Sequence, residues 1–149
     1  MTIQAVLDAV SDVLMAGVGG RVRYVGAPIV PPQAVPAVYA AWDQSAPTAA
    51  THSKRDADNK LVKHGVARRH TVLAYIIGGP VVDGVAAEEA QREYAQRAMD
   101  TVDADETLRG VTNNDRVAKA SVTRVEPWAD TLSNTPLFGV VATMEVIEL

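Results

Sequence analysis

The chain has 149 residues, of which 48% are hydrophobic and 21% charged, and this size and composition predict one globular domain and exclude a disordered segment. It contains no cysteine, which excludes disulfides, thiolate nucleophiles and cysteine-ligated metal centres. Its net charge of -4 argues against a dedicated nucleic-acid binder, because phosphate contacts normally come from an excess of basic residues.

No apolar run is long enough to cross a membrane. The longest, Val72–Ile77 and Leu137–Ala142, are far shorter than the roughly 20 residues that a bilayer requires. Met1–Gly20 contains Asp8 and Asp12 but no basic residue, so it does not have the pattern of a secretory signal. We therefore expect a protein that has no membrane partner and remains in the compartment where it is made.

The first predicted element is an amphipathic helix. Apolar residues recur at spacings of three and four over Ile3–Leu14, Thr2 suits the N-cap, and Gly17 is the expected end of the helix. A short strand is predicted at Arg21–Val25. After a proline-rich segment, a second strand is predicted at Ala37–Trp42.

The segment Asp43–Gly65 follows no period of two or 3.6. It is composed of small, polar and charged residues, and it predicts a long loop or a protruding hairpin. Connections without structure beyond about 12 to 15 residues are uncommon in compact domains and are often functional. Because Leu61 and Val62 are its chief large apolar residues, we expect this segment to act in assembly and to contribute little to the fold.

The second half of the chain predicts a strand, a helix and two more strands. Val66–Ile77 is apolar on both faces near its end, which is typical of a central strand. A helix with a buried stripe of mostly small residues is predicted at Ala86–Asp103. The last two strands are expected at Arg116–Trp128 and Leu137–Leu149, with a loop between them.

This order of elements predicts an α+β fold, because it lacks the strict alternation of a doubly wound α/β protein. We expect a mainly antiparallel sheet with two helices packed on one face and a long loop or hairpin between strands. No repeat or change of composition divides the chain, so residues 1–149 are predicted to form a single domain.

The sequence offers no recognisable catalytic or metal-binding motif. His52, His64 and His70 are not at the spacing of a compact metal site and are expected to be exposed or interfacial. No nucleophile motif surrounds any serine. Trp42 and Trp128 are interpreted as strand-end core residues, with interface anchors as the alternative. We therefore predict a protein that is not an enzyme and has no catalytic, cofactor-binding or metal-binding residues and no cofactor, although an active site or metal site formed by distant residues stays open.

Charge is distributed in two segments of opposite sign. Thr51–His70 has six basic and two acidic residues, whereas Asp83–Glu106 has eight acidic and two basic ones. If these segments form patches, one subunit can bind the next head to tail, and such contacts close into a ring when the rotation allows it. Two independently solvated faces are the alternative. The candidate assembly contacts are Lys54, Arg55, Lys60, Lys63, Glu88, Glu89 and Glu93.

Over nearly its whole length, the chain resembles the tail terminator family of long-tailed bacteriophages, also called minor tail or tail completion proteins. The long segment after the second strand is part of this resemblance. The other matching parts are Ile3–Leu14, Val35-Pro36-Ala37-Val38-Tyr39, Arg69-His70-Thr71-Val72-Leu73, Ala86–Val102, Leu108-Arg109-Gly110 and Leu137-Phe138-Gly139-Val140-Val141.

The resemblance implies a structural virion protein. Such a subunit forms a hexameric ring on the tail tube, stops tube polymerisation and offers a surface for head–tail joining. Its partners would be the tube protein and a head–tail connector or neck protein, and DNA would only pass through the ring lumen. It would be made in the host cytoplasm and end at the head-proximal end of the tail. The alternatives are a neck or head-closure protein and, in another class, a small cytoplasmic enzyme or ligand-binding domain.

Overall fold

A computed structural model describes residues 2–55, 58, 61–80, 83–108 and 117–148, with the backbone alone for 48–55 and 61–66. Arg109, Gly110, Arg116 and Leu149, which belong to predicted features, lie outside these ranges. The elements are α1 (Ile3–Val18), β1 (Val22–Val25), β2 (Ala37–Arg55), β3 (Leu61–Pro80), α2 (Gly84–Ala104), β4 (Val117–Leu132) and β5 (Thr135–Glu148).

The described strands form one sheet in the order β1-β2-β3-β5-β4. The pair β1–β2 is parallel and the other three pairs are antiparallel. Both helices pack on one face of this sheet, in a core that takes residues from α1, α2 and the strands. The predicted α+β class and the central position of β3 are therefore confirmed. None of the described helices has the length and apolar character to cross a bilayer.

The core follows from the period of two in the strands. Alternate residues of β3 and β5 face the helices and are buried against the apolar stripe of α1. The opposite face of the sheet, called the second face below, has a smaller apolar cluster at one end. The chief residues of this core are Val72, Ala74 and Ile76 of β3, Val140, Ala142, Met144 and Val146 of β5, and Val6, Val10 and Leu14 of α1.

Helix α1 begins as predicted but ends later. Thr2 Oγ1 accepts a hydrogen bond from Ala5 N at 3.1 Å, as an N-cap does. The helix continues through Gly17 and is capped by Gly19, whose φ of 70° favours glycine. Gly17 lies where α1 meets α2, since a Cβ at this position would overlap the Thr101 side chain. The predicted end at Gly17 was wrong because the glycine allows close helix packing and does not cap the helix.

The strands are longer than the sequence pattern suggested. Asp43–Gly65 is not a loop: apart from the undescribed residues at its centre, it belongs to β2 and β3, which confirms the hairpin alternative. β3 also continues past Ile77 to Pro80 through a register shift. The predicted loop between the last two strands is a tight turn, in which Ser133 and Asn134 both have positive φ.

Candidate assembly surface

The β2–β3 hairpin extends beyond the rest of the sheet. β1 pairs with β2 only as far as Ala40, and the β3–β5 ladder ends at Arg68 and Glu148. β2 and β3 stay paired to Arg55 and Leu61, and no other described strand pairs with this stretch. We call residues 48–55 and 61–66 the ribbon. At the rise of an extended strand it projects roughly 25 Å beyond the last pair with β5.

Both edges of the ribbon have backbone groups without a neighbouring strand in the described part of the chain. The pairing of β2 with β3 shifts register after Trp42, Pro47 and His52, which is typical of a twisted edge. Pro47 is tolerated there because its strand needs no further ladder donor. An isolated two-stranded hairpin is marginally stable in water, and its open edges are templates for pairing with another chain. The ribbon is therefore suited to bind a neighbour.

A hydrogen-bonded array, called the root network, joins three strands where the ribbon leaves the sheet. His70 Nε2 of β3 lies 2.8 Å from Glu148 Oε2 of β5, and His70 Nδ1 lies 2.6 Å from Ser45 Oγ of β2. The indole of Trp42 donates to Ser45 Oγ at 2.9 Å. With a neutral imidazole, Nε2–H donates to the carboxylate and Nδ1 accepts from the serine hydroxyl. The network fixes β2, β3 and β5 relative to one another.

His70 is buried, with only 3% of its surface exposed, so the expected exposed or interfacial position was wrong for this histidine. The period of two carried the missed signal. His70 lies on the same strand face as Val72 and Ala74, and Glu148 lies on the face of Val146. A polar residue in register with a core stripe is usually hydrogen-bonded. His52 and His64 lie in the ribbon, which is described by its backbone alone.

A surface cavity of about 590 Å³ lies between the first turn of α1 and the hairpin. It opens beside the root network, and Trp42 is 52% exposed nearby, which corrects its interpretation as a core residue. Trp128 is half-buried and makes an edge contact with Tyr75 on the second face. The lining residues of the cavity are Thr2, Ile3, Ser45, Ala46, Pro47, Arg68 and His70.

The structure places the candidate contacts on two separate elements. Lys54, Arg55 and Lys63 belong to the ribbon, and Lys60 lies outside the described residues. The acidic candidates, Glu88, Glu89 and Glu93, are exposed on α2. Glu93 pairs with Arg97 at 2.6 Å, but an exposed pair of this kind stabilises a helix little. Contact between the two sets in different subunits stays a prediction.

A groove of about 250 Å³ separates α2 from β4. Its polar end contains Gln91, whose amide donates to Gly139 O at 2.9 Å and to Trp128 O at 3.2 Å and so links the helix to β5 and β4. We call this feature the α2–β4 groove. It is lined by Glu88, Gln91, Arg92 and Ala95 of α2, Val125, Glu126 and Pro127 of β4, and Val140 of β5.

Residues 26–36 carry an exposed apolar pair that sequence reasoning missed. Ile29 and Val30 are 78% and 62% exposed. The segment is held to the sheet by Tyr39, whose hydroxyl donates to Val30 O at 3.4 Å, and by Tyr24, whose hydroxyl accepts from Gln33 N at 3.2 Å. Burial, with a smaller effect of Tyr24, raises the pKa of Tyr39 to about 12.

Within the described residues, no group of three histidine, aspartate or glutamate side chains could hold a metal ion. No protein-family model matches the chain, and no curated protein matches it.

Proposed function

We propose that this protein is a structural subunit that forms a ring on the end of a phage tail tube, stops tube polymerisation and offers a surface for joining the head. The observation that carries the proposal is the ribbon. Among the residues whose side chains the structure describes, the core is built from the helices, Leu108 and the strands, and the ribbon extends beyond the strand pairs that carry this core. An extension with open edges is explained if a neighbouring chain binds it.

The position of the ribbon also supports a ring. Its basic residues and the acidic face of α2 lie on different elements, so each subunit presents two different surfaces. Contacts between unlike surfaces are heterologous and repeat around an axis until they close. In a closed ring, both surfaces of every subunit are bound by neighbours, as expected of a cap that ends a polymer.

Light scattering tests the proposal through the mass of the assembly. We expect closed oligomers of the 15.8 kDa chain, either alone or in the presence of the tail-tube protein encoded with it. The tube protein is included because a tube end acts as a template on which many weak contacts act together. Monomer under both conditions would contradict the proposal. Binding to a head connector without binding to tubes would favour the neck or head-closure alternative.

A second candidate function follows from the root network, because serine, histidine and carboxylate in a line also occur in serine hydrolases. Two features favour a structural role here. Ser45 lies in a paired strand and not on a strained turn, and its oxygen already accepts from Trp42. We expect no labelling by a fluorophosphonate probe and no hydrolysis of p-nitrophenyl acetate. Labelling that is lost in Ser45→Ala would establish the hydrolase instead.

A further inference from the structure

On the basis of the proposed ring, we infer that Ile29 and Val30 of one subunit insert into the α2–β4 groove of a second copy of this chain. The contact joins two uncharged surfaces and is therefore separate from any contact of the basic ribbon. Residues 26–36, which carry the inserting pair, are called the proline segment below.

The proline segment exposes an apolar pair to solvent. Ile29 is the most exposed large hydrophobic residue in the described part of the chain, and its neighbour Val30 is exposed as well. Both lie in the stretch 24–42, which contains no Asp, Glu, Lys or Arg. Exposed apolar residues that occur singly need no explanation, but this pair is adjacent and has no charged residue near it in the chain. We therefore expect another surface to cover it.

The proline segment also restricts the conformation of this pair. Pro28 and Pro31 flank it directly, and proline fixes φ at about −65°. The hydrogen bond from the Tyr39 hydroxyl to Val30 O attaches the pair to the sheet. Because little conformational freedom is left to lose, an insertion of these two side chains costs less entropy than that of an unrestrained loop.

The groove suits an uncharged aliphatic insertion. Its volume of about 250 Å³ accommodates a few aliphatic side chains. The Gln91 amide already donates both of its protons to backbone oxygens of the same subunit, so it does not require a polar occupant. Four lining residues are apolar, namely Ala95, Val125, Pro127 and Val140.

The charged lining residues of the groove have both signs. They are Glu88, Glu126 and Arg92. A charged segment of either sign would meet a like charge here, whereas Ile29 and Val30 meet none. The groove therefore favours an uncharged occupant over a basic or an acidic one.

The pair and the groove lie at opposite edges of the sheet and at the same level along the strands. The proline segment follows β1, which is one edge strand, and the groove lies beside β4, which is the other. Val25, the last residue of β1, is in register with Ala40, and the same row continues through β3 and β5 to Val125 of the groove. This row crosses four strand spacings, or roughly 19 Å. A neighbour placed beside β4 in the same orientation therefore brings its proline segment to the level of the groove.

The contact joins unlike surfaces of two subunits. Ile29 and Val30 are exposed in the subunit that carries them, so they do not fill their own groove. Two aliphatic side chains cover far less than the roughly 1,200 Å² that the smaller stable interfaces bury. We therefore expect the contact in assembled rings, where each subunit makes it twice, once through its proline segment and once through its groove.

Cysteine cross-linking tests this contact on a chain that has no native cysteine. Ile29→Cys is mixed with Arg92→Cys under conditions in which the native chain assembles, and the mixture is oxidised. Both positions are exposed, so neither change should disturb folding. We expect disulfide-linked dimers that contain one copy of each variant. They should be several-fold more abundant than with Arg97→Cys, which is also exposed on α2 but does not line the groove.

Matched valine substitutions supply a second readout. Val30→Ser removes half of the inserting pair, whereas Val85→Ser changes a valine of similar exposure that does not line the groove. Both variants should keep the native melting temperature, because both side chains are exposed. Val30→Ser should weaken ring formation several-fold, and Val85→Ser should leave it unchanged.

The outcomes separate this contact from the proposed function. Rings that show no selective Ile29–Arg92 cross-link, or that form equally well from Val30→Ser, would overturn the contact and leave the proposed function standing. Absence of any oligomer from the native chain, with and without tube protein, would instead overturn the proposed function.

Discussion

At the scale of single residues, the root network joins β2, β3 and β5 at the base of the ribbon. His70 and Glu148 are both buried, and the network continues to Ser45 on β2. Loss of one partner from a buried pair leaves the other group desolvated, which costs more than the bond itself contributes. The network should therefore be more sensitive to substitution than the exposed ion pairs elsewhere on the sheet.

We predict that Glu148→Ala lowers the free energy of unfolding by about 1 to 3 kcal/mol, because His70 Nε2 loses its carboxylate acceptor. The matched control is Glu145→Ala on the same strand. Glu145 pairs with Arg69 at 4.0 Å on a partly exposed surface, so its loss should cost about 0 to 1 kcal/mol. Urea titrations of the two variants provide the comparison. Equal losses would show that the buried pair has no special role.

Tyr39 should make the fold sensitive to alkaline pH. Its pKa is raised to about 12, so the folded state disfavours the phenolate relative to the unfolded chain. Because the pKa of Tyr39 is higher in the folded state, the stability contributed by the protonated hydroxyl is complete below about pH 10. That contribution is lost as pH rises from 10 towards 12. Tyr39→Phe should flatten the fall of the melting temperature between pH 8 and pH 11. An unchanged fall in this variant would contradict the assignment.

At the scale of elements, the contact between α1 and α2 depends on Gly17. Gly17→Ala gains about 1 kcal/mol of helix propensity, but its methyl group overlaps Thr101. Overpacking typically costs about 1 to 3 kcal/mol, so we expect the variant to be less stable in thermal melts. Gly84→Ala is the control, since a Cβ there meets no atom within 4 Å. Recovery of stability in Gly17→Ala with Thr101→Ala would confirm that the overlap is the cause.

The ribbon should be dispensable for folding. Residues 48–66 are the segment to replace with a short Gly/Ser linker, because Ser45 and His70 must stay to keep the root network intact. The melting temperature should change little, since the described members of the two apolar clusters lie outside the replaced segment. Ring formation should be lost. A collapsed melting temperature would show that the ribbon belongs to the core, and normal assembly would show that another surface forms the ring.

Sequence patterns predicted these elements where one face is buried. The stripes of α1 and of the strands repeat at the expected periods, so their helix and strand types were correct. The sequence of Asp43–Gly65 predicted either a loop or a hairpin, because small and polar residues show no hydrophobic period even in a paired strand. The predicted helix end at Gly17 was wrong because a single sequence does not distinguish a glycine that caps a helix from one that allows a second helix to pack closely. Only the register of three strands brings Ser45, His70 and Glu148 together.

At the scale of the whole molecule, the ribbon stands apart from the helices and the rest of the sheet. The helices and the paired strands form the described core, and the ribbon carries a basic segment beyond it. In the proposed ring, the exposed carboxylates of α2 would provide the unlike surface for a neighbour. Attraction between exposed charges falls with ionic strength over a Debye length of about 10 Å at 0.1 M salt. Assembly should therefore weaken as salt is raised.

Electron microscopy of tube polymerisation tests the central claim most directly. A tail-tube protein, which the proposed function requires to be encoded with this chain, is polymerised alone, with the native chain, and with the variant in which residues 48–66 are replaced. We predict that the native chain gives tubes that stop growing and carry one additional ring at an end, whereas the variant leaves growth unchanged. Tubes that grow equally long with and without the native chain, and that lack a terminal ring, would contradict the proposed function.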